Sequence, residues 1–492
     1  MVHSFFRMNE QRTIECLKFL PVFTVFTVAM IMILEAESLE LSVATKLGRV
    51  VGVNGTVEFN GETKSLTRFL GIPYAKPPTG DKRFQRPEPY GNYTQTYDAT
   101  YFRPHCMQSE LANPSVKYFG MSEDCLHLNI FLPGNALPSE NKYAVMIFIH
   151  GGSFTHSGAE VFSGDKLSAF FDVIVIKWVH DNIANFAGDR ENVTLFGNSA
   201  GAASVVYQAL NPTNKGLFQR IITQSGSALA IWAQQYNSSE MFADFVSEVN
   251  CSVERNVYED ILTRLQLKAA EELVTDRFGP VVDGSFITED PLVTFSRVMV
   301  DSSSPLSLFT EVDFLSGVQS KDGLSVLDRM FPFDISRGVG RNVFKDIFIP
   351  EMLFHVYGRA VPQALVQSII YQYTDWSRPD DTKIIRDKML DISSDFAFFV
   401  PAINTIKKHQ VLGKPGKTSY FYVFEHKPPL MPAPYWLQSA THAMELPYVF
   451  GLPDSMKVAA GYPPDLQLVL PPLELQLSSI IMTMWTNFAK TG

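Results

Sequence analysis

The chain has 492 residues, 46% of them hydrophobic and 12% aromatic, with a formal net charge of −10. Such a composition can bury a large core and excludes a disordered or low-complexity protein. The acidic balance, without a basic stripe, excludes a nucleic-acid partner.

The N-terminus reads as a secretory signal over residues 1–38. Arg7, Arg12 and Lys18 precede an apolar run that ends before Glu35, and Ala36-Glu37-Ser38 offers a small-x-small cleavage site. The run is shorter than the roughly 20 residues a spanning helix needs, so a signal-anchored form is the weaker reading and no stable membrane span is expected after cleavage. Residues 39–492 then form one secreted domain. Cysteine usage agrees with secretion: Cys106 and Cys125 would close a loop of about 20 residues, and Cys251 is left as a buried thiol or an intermolecular partner. Asn54, Asn92, Asn237 and Asn250 stand in glycosylation sequons. Asn192 does too, but it leads into a strand and is expected to be buried and unmodified.

Short apolar runs at 128–131, 145–149, 173–176, 193–196, 221–224, 312–315 and 420–424 read as strands, several covered on both faces. Helical periods occupy 240–249, 382–390, 396–408 and 479–488. In the last, Ile480, Ile481, Met484, Trp485 and Phe488 are expected on one buried face. Strands alternating with helices predict a mostly parallel central sheet flanked by helices, with functional groups on loops at the strands' carboxyl ends.

The chemistry starts at Phe196-Gly197-Asn198-Ser199-Ala200-Gly201. A Gly-x-Ser-x-Gly run between a strand and a helix is a nucleophile elbow, which lifts Ser199 out of the sheet. Upstream, His150-Gly151-Gly152-Ser153-Phe154 follows a strand and can offer backbone N–H groups as an oxyanion hole, with Ala200 adding another. An orienting acid should come next. Asp322, in the loop after the 312–318 run, and Asp283, in Pro280-Val281-Val282-Asp283-Gly284, both qualify by spacing. The base should follow, and His355, His409, His426 and His442 lie downstream of Asp322.

Long motifs choose among these. Ser122-Glu123-Asp124-Cys125-Leu126-His127-Leu128-Asn129-Ile130, Phe186-Ala187-Gly188-Asp189 with the elbow, Phe69-Leu70-Gly71-Ile72-Pro73-Tyr74-Ala75 and Leu446-Pro447-Tyr448-Val449-Phe450-Gly451 resemble the type-B carboxylesterases. That family also holds the cholinesterases and the non-catalytic neuroligins. The resemblance implies an α/β-hydrolase fold and a triad of Ser199, Asp322 and His442. It also implies oxyanion donors at Gly152, Ser153 and Ala200, and a Cys106–Cys125 disulfide. No cofactor and no metal are implied.

The chain departs from the family in several places. Asn198 replaces the usual Glu beside the nucleophile. Asp322 stands where Glu is commoner, Cys251 lacks its family partner, and no tryptophan lies between Cys106 and Cys125 to stack on a quaternary ammonium. The strand at 173–176 runs directly into Lys177-Trp178-Val179-His180, which resembles only the last turns of a long family helix. An internal deletion near 176–177 is therefore expected, with a helix of about ten residues remaining. The chain also stops at Gly492, where the family continues, which reads as a truncated C-terminus. Trp232, Phe331 and Phe333 are candidate pocket walls. The function expected from these residues is a secreted serine esterase acting on a small-molecule carboxylic ester. The alternatives are a cholinesterase-like binding or adhesion protein, or an inactive truncated form.

Overall fold

In a computed structural model the described residues are 41–492, apart from 135–136, 138–141, 172, 176–178, 254–257, 302, 332, 358–360, 430, 432, 453–456 and 458–470. The expected signal at 1–38 and the expected junction at 176–177 lie outside them.

The strands are β1 (Ser42–Thr45), β2 (Gly48–Val51), β3 (Val53–Phe59), β4 (Glu62–Pro73), β5 (Tyr97–Asp98), β6 (His127–Pro133), β7 (Tyr143–Ile149), β8 (Val173–Val175), β9 (Gly188–Asn198), β10 (Arg220–Gln224), β11 (Asp313–Gln319) and β12 (Ser419–Phe424). Six of them build the central sheet in the order β12-β11-β10-β9-β7-β8, every pair parallel. All six carboxyl ends therefore point the same way, and the loops leaving them share one edge. The 128–131 run does not join this sheet. As part of β6 it pairs antiparallel with β4 in a separate three-stranded sheet, β3-β4-β6.

Helices used below are α1 (Asp165–Phe171), α2 (Ala200–Ala209), α3 (Ser238–Glu248), α4 (Thr382–Ser394), α5 (Val400–Leu412) and α6 (Pro472–Thr491). α1 fastens the two sheets: Arg68 of β4 makes a two-pronged ion pair with Asp165, at 2.8 Å for each prong. The core between α1, α6 and the central sheet holds Met146, Leu167, Phe196, Ile222, Phe450, Met482 and Trp485.

Two expectations need correction. On α6, Ile481, Trp485 and Phe488 are buried, but Ile480 and Met484 are 51% and 55% exposed. Ser478 and Thr486 occupy the buried stripe instead. Ser478 Oγ donates to Tyr448 O and Thr486 Oγ1 to Met482 O, so burying these hydroxyls leaves no proton unpaired. Between β8 and β9 the described residues form a single turn, Val179–Asn182, and a tight turn, Ile183–Phe186, rather than a ten-residue helix. β9 starts at Gly188, five residues earlier than expected, and Ile183 packs where a Cβ on Gly188 would come within 2.4 Å of its side chain.

Cys106 and Cys125 form a disulfide. Closing a loop of this size contributes about 3 kcal/mol by restricting the unfolded chain. Cys251 is a buried free thiol packed with Phe245 and Val246 of α3 and with Ile261 and Leu265. The side chains of Asn54, Asn92, Asn237 and Asn250 are exposed. Asn192 is half-buried, its amide engaged by Arg220 and Lys490.

Candidate functional site

The loops that leave β7, β9, β11 and β12 build the site. At the end of β9 the chain turns into α2 through Ser199, whose φ of 59° and ψ of −126° are costly for a residue with a side chain. The turn is held by Ser199 N donating to Gln224 O at 2.8 Å and by Ala203 N donating to Ser199 O at 3.1 Å. The β7 loop presses against it. A Cβ on Gly151 would lie 2.8 Å from Asn198 O and 3.0 Å from Ser199 Cβ, so only glycine lets the two approach. Gly152, Ser153 and Phe154 follow with φ of 113°, 54° and 63°.

The structure separates the candidate acids. Asp283 caps an exposed turn, accepting from the backbone N–H groups of Ser285, Phe286 and Ile287. Asp322 is fully buried. Its Oδ2 accepts from Gln319 N at 2.8 Å, and its Oδ1 accepts from His442 Nδ1 at 2.7 Å. The acid and base loops are stitched together by Lys321 N donating to Ala440 O and by a bridge between Lys321 and Thr441. His409 and His426 are engaged elsewhere, with Val312 O and Glu474 respectively. Burial pushes the His442 pKa down, but the Asp322 hydrogen bond and the charges of Asp322 and Glu445 outweigh it, and the net direction is up. The Phe398 ring lies against the imidazole, 4.8 Å between centroids.

Among the described residues no hydrogen bond joins the Ser199 hydroxyl to His442. The cavity of about 470 Å³ beside the elbow is lined by Gly151, Phe154, Ala200 and Ser204, with His105, His127, His150, His156 and Glu160. Ser199, Asp322 and His442 are not on its wall. Trp232, Phe331 and Phe333 are not on it either. Trp232 packs on Phe398 and donates to Ala397 O, Phe331 is buried in the core around α4, and Phe333 is exposed.

One group escaped the sequence reading. Glu445 is buried three residues after His442, with Asn198 and Gln224 donating to its Oε1 at 3.1 and 2.8 Å and Gln319 donating to its Oε2 at 2.6 Å. These amides end three adjacent strands, β9, β10 and β11. A Glu at 198 would set a second carboxylate against Glu445, whereas Asn198 supplies a donor. Burial, then the charge of Asp322, pushes the Glu445 pKa up to about 7. Between the ordinary carboxylate range and about pH 7 the folded protein thus holds a proton that the unfolded chain has released, and stability falls as pH rises through that window. Glu445→Gln is expected to flatten this slope, read from urea midpoints between pH 4.5 and 7.5 (about the window set by the two pKa values). An unchanged slope would remove Glu445 from the account.

A sequence model of the carboxylesterase family matches residues 39–177 and 176–492. The chain belongs to the carboxylesterase family. The two matched stretches meet at 176–177, where the internal deletion is expected. Among curated relatives, the chain of this family member is 30% identical to Neuroligin-2 of Mus musculus and of Homo sapiens, over 92% of this chain and 60% of theirs. It is 30% identical to Neuroligin-3 of Mus musculus over 87% of this chain and 58% of that one. It spans about 60% of the length of the curated relatives it matches. The 527 aligned positions with Neuroligin-2 exceed the 492 residues of the whole chain, so the relative carries segments that this chain lacks. The expected secreted serine esterase is overturned by this finding: similarity along nine tenths of the chain runs to the family's non-catalytic members. Among the described residues no helix is long and apolar enough to cross a membrane.

Proposed function

We propose that this chain is an extracellular, non-catalytic member of the carboxylesterase family that binds another protein, in the manner of the family's adhesion branch. The observation that carries the reading is its similarity to Neuroligin-2 and Neuroligin-3 over 87 to 92% of the chain. The absence of a hydrogen bond between the Ser199 hydroxyl and His442 among the described residues supports it. The disulfide and the four exposed sequons suit an oxidising, extracellular setting.

Retention of Asp322 and His442 has a structural reason in a protein that does not use them on an ester. Asp322 is buried, and its carboxylate is satisfied only by His442 and Gln319 N among the described hydrogen bonds. Losing the imidazole would strand a buried charge, which is strongly destabilising. The two residues therefore persist as a packing unit that holds the β11 and β12 loops together.

A soluble Fc fusion of the folded chain is expected to bind intact cells, and trypsin treatment of those cells to abolish the binding. Binding that survives trypsin, or none on any cell type of a broad panel, would contradict a protein partner.

A further inference from the structure

The central sheet has an open edge at β12, which pairs with β11 on one side only. Thr418 O and Phe424 O accept from Phe314 N and Ser320 N of that neighbour. Main-chain groups alternate in direction along a strand, so those of Ser419, Phe421 and Val423 face outward. Among the described residues these outward N–H and C=O groups have no hydrogen-bond partner.

Folded proteins usually blunt such an edge with charge, proline or a cover. β12 reads Ser-Tyr-Phe-Tyr-Val-Phe, without a charge, a proline or a glycine. Tyr420, Phe421 and Val423 are 50%, 37% and 41% exposed. The apolar patch continues onto α6. Tyr420 meets Phe488 with ring centroids 6.1 Å apart, and Met484 and Ile480, one and two turns before Phe488 on the same side of the helix, are the exposed apolar residues noted above. No sequon occurs in 251–492, so no N-linked glycan on β12, α5 or α6 shields the patch.

The edge is complementary to itself. With a two-fold axis at Phe421, two β12 strands run antiparallel, Phe421 facing Phe421 and Ser419 facing Val423. Each outward N–H at these positions then meets an outward C=O of the other strand. Tyr420 faces Tyr422, an aromatic cross-strand pair. Just outside the strand, Lys417 faces Glu425, whose exposed carboxylate has no partner among the described residues. The free main-chain groups stop where this pairing stops: Lys417 N donates to Lys414 O, and Glu425 O accepts from Ala440 N. Only this register pairs all of them.

We propose that two copies of this chain dimerise by antiparallel pairing of their β12 edges, which covers Phe421, Val423 and the α6 flank at Met484 and Ile480. The contact uses the same surface on both copies, so it closes at two. It requires neither a reactive Ser199 nor the protein partner proposed above.

Sedimentation velocity of the full folded chain over a dilution series tests this, and a reversible dimer is expected. Val423→Pro removes an outward N–H without touching the β11 ladder, and is expected to weaken the dimer by at least about tenfold with near-UV circular dichroism unchanged. Glu425→Lys sets like charges opposite each other and is expected to weaken it about threefold or more at low salt. Phe421→Cys is expected to give a disulfide-linked dimer in air, since the facing Cα atoms of such a pair lie about 5.5 Å apart. Met299→Cys, exposed on another segment, is expected to stay unlinked on a denaturing, non-reducing gel. A chain that is monomeric throughout, a dimer that Val423→Pro and Glu425→Lys leave unchanged, or a Phe421→Cys chain that links no more than Met299→Cys would each overturn the proposal. Should Val423→Pro not fold, Phe421→Cys decides by itself.

Discussion

Gly201→Ala is expected to destabilise the protein by about 3 kcal/mol or more, or to prevent folding outright. A Cβ at this position would stand 1.9 Å from Ile149 O and 2.7 Å from His150 O. Both are backbone atoms, and neither can yield as a flexible side chain would. Ile149 is the last residue of β7 and is paired in register with Gly197 of β9, so moving it breaks the ladder that carries the elbow. Helix propensity pulls the other way, since alanine inside a helix is favoured over glycine by about 1 kcal/mol. The steric term has to exceed that gain, and an overlap of this size does. Gly279→Ala is the control: nothing lies within 4 Å of its Cβ position, and a change within about 0.5 kcal/mol is expected. Urea unfolding of the two variants reads the contrast. Equal midpoints would show that β7 and α2 do not meet as closely as described.

Gly201 also shows what was legible in the residues. The Gly-x-Ser-x-Gly run and the strand before it announced a close approach, and the structure supplies the atoms that are approached. Asp322 and His442 became legible only through family resemblance, because Asp283 and other histidines had equal claims by spacing. The Asp322–His442 bond depends on the bridge between Lys321 and Thr441, a contact across 120 residues that no local pattern encodes. Glu445 was invisible for the same reason. Its partners Asn198, Gln224 and Gln319 are ordinary amides until the parallel register of β9, β10 and β11 lines up their strand ends. On α6, apolar spacing suggested Ile480 and Met484 as buried, whereas these are exposed and Ser478 and Thr486 lie in the buried stripe, their hydroxyls paired with nearby carbonyls. Functional class was the least legible, because a complete Ser, Asp and His set looks the same whether or not the serine couples to the imidazole. That coupling is a matter of placement, which no local pattern in the sequence encodes.

The non-catalytic reading makes Ser199 an unreactive alcohol. A free serine hydroxyl is a poor nucleophile at neutral pH and needs a base within hydrogen-bond reach to attack an acyl or phosphonyl centre. His442 Nδ1 bonds Asp322, as a triad base's would, and only the missing hydrogen bond from Ser199 Oγ to the imidazole among the described residues bears on the serine. The most direct measurement is therefore labelling of the folded, full-length protein with a fluorophosphonate probe, followed by mass spectrometry of the peptide that contains Ser199. The account predicts no adduct on Ser199 and the same background signal from the unaltered chain and from Ser199→Ala. Stoichiometric labelling of Ser199 in the folded protein, abolished in Ser199→Ala, would contradict it and return the protein to the catalytic branch of its family.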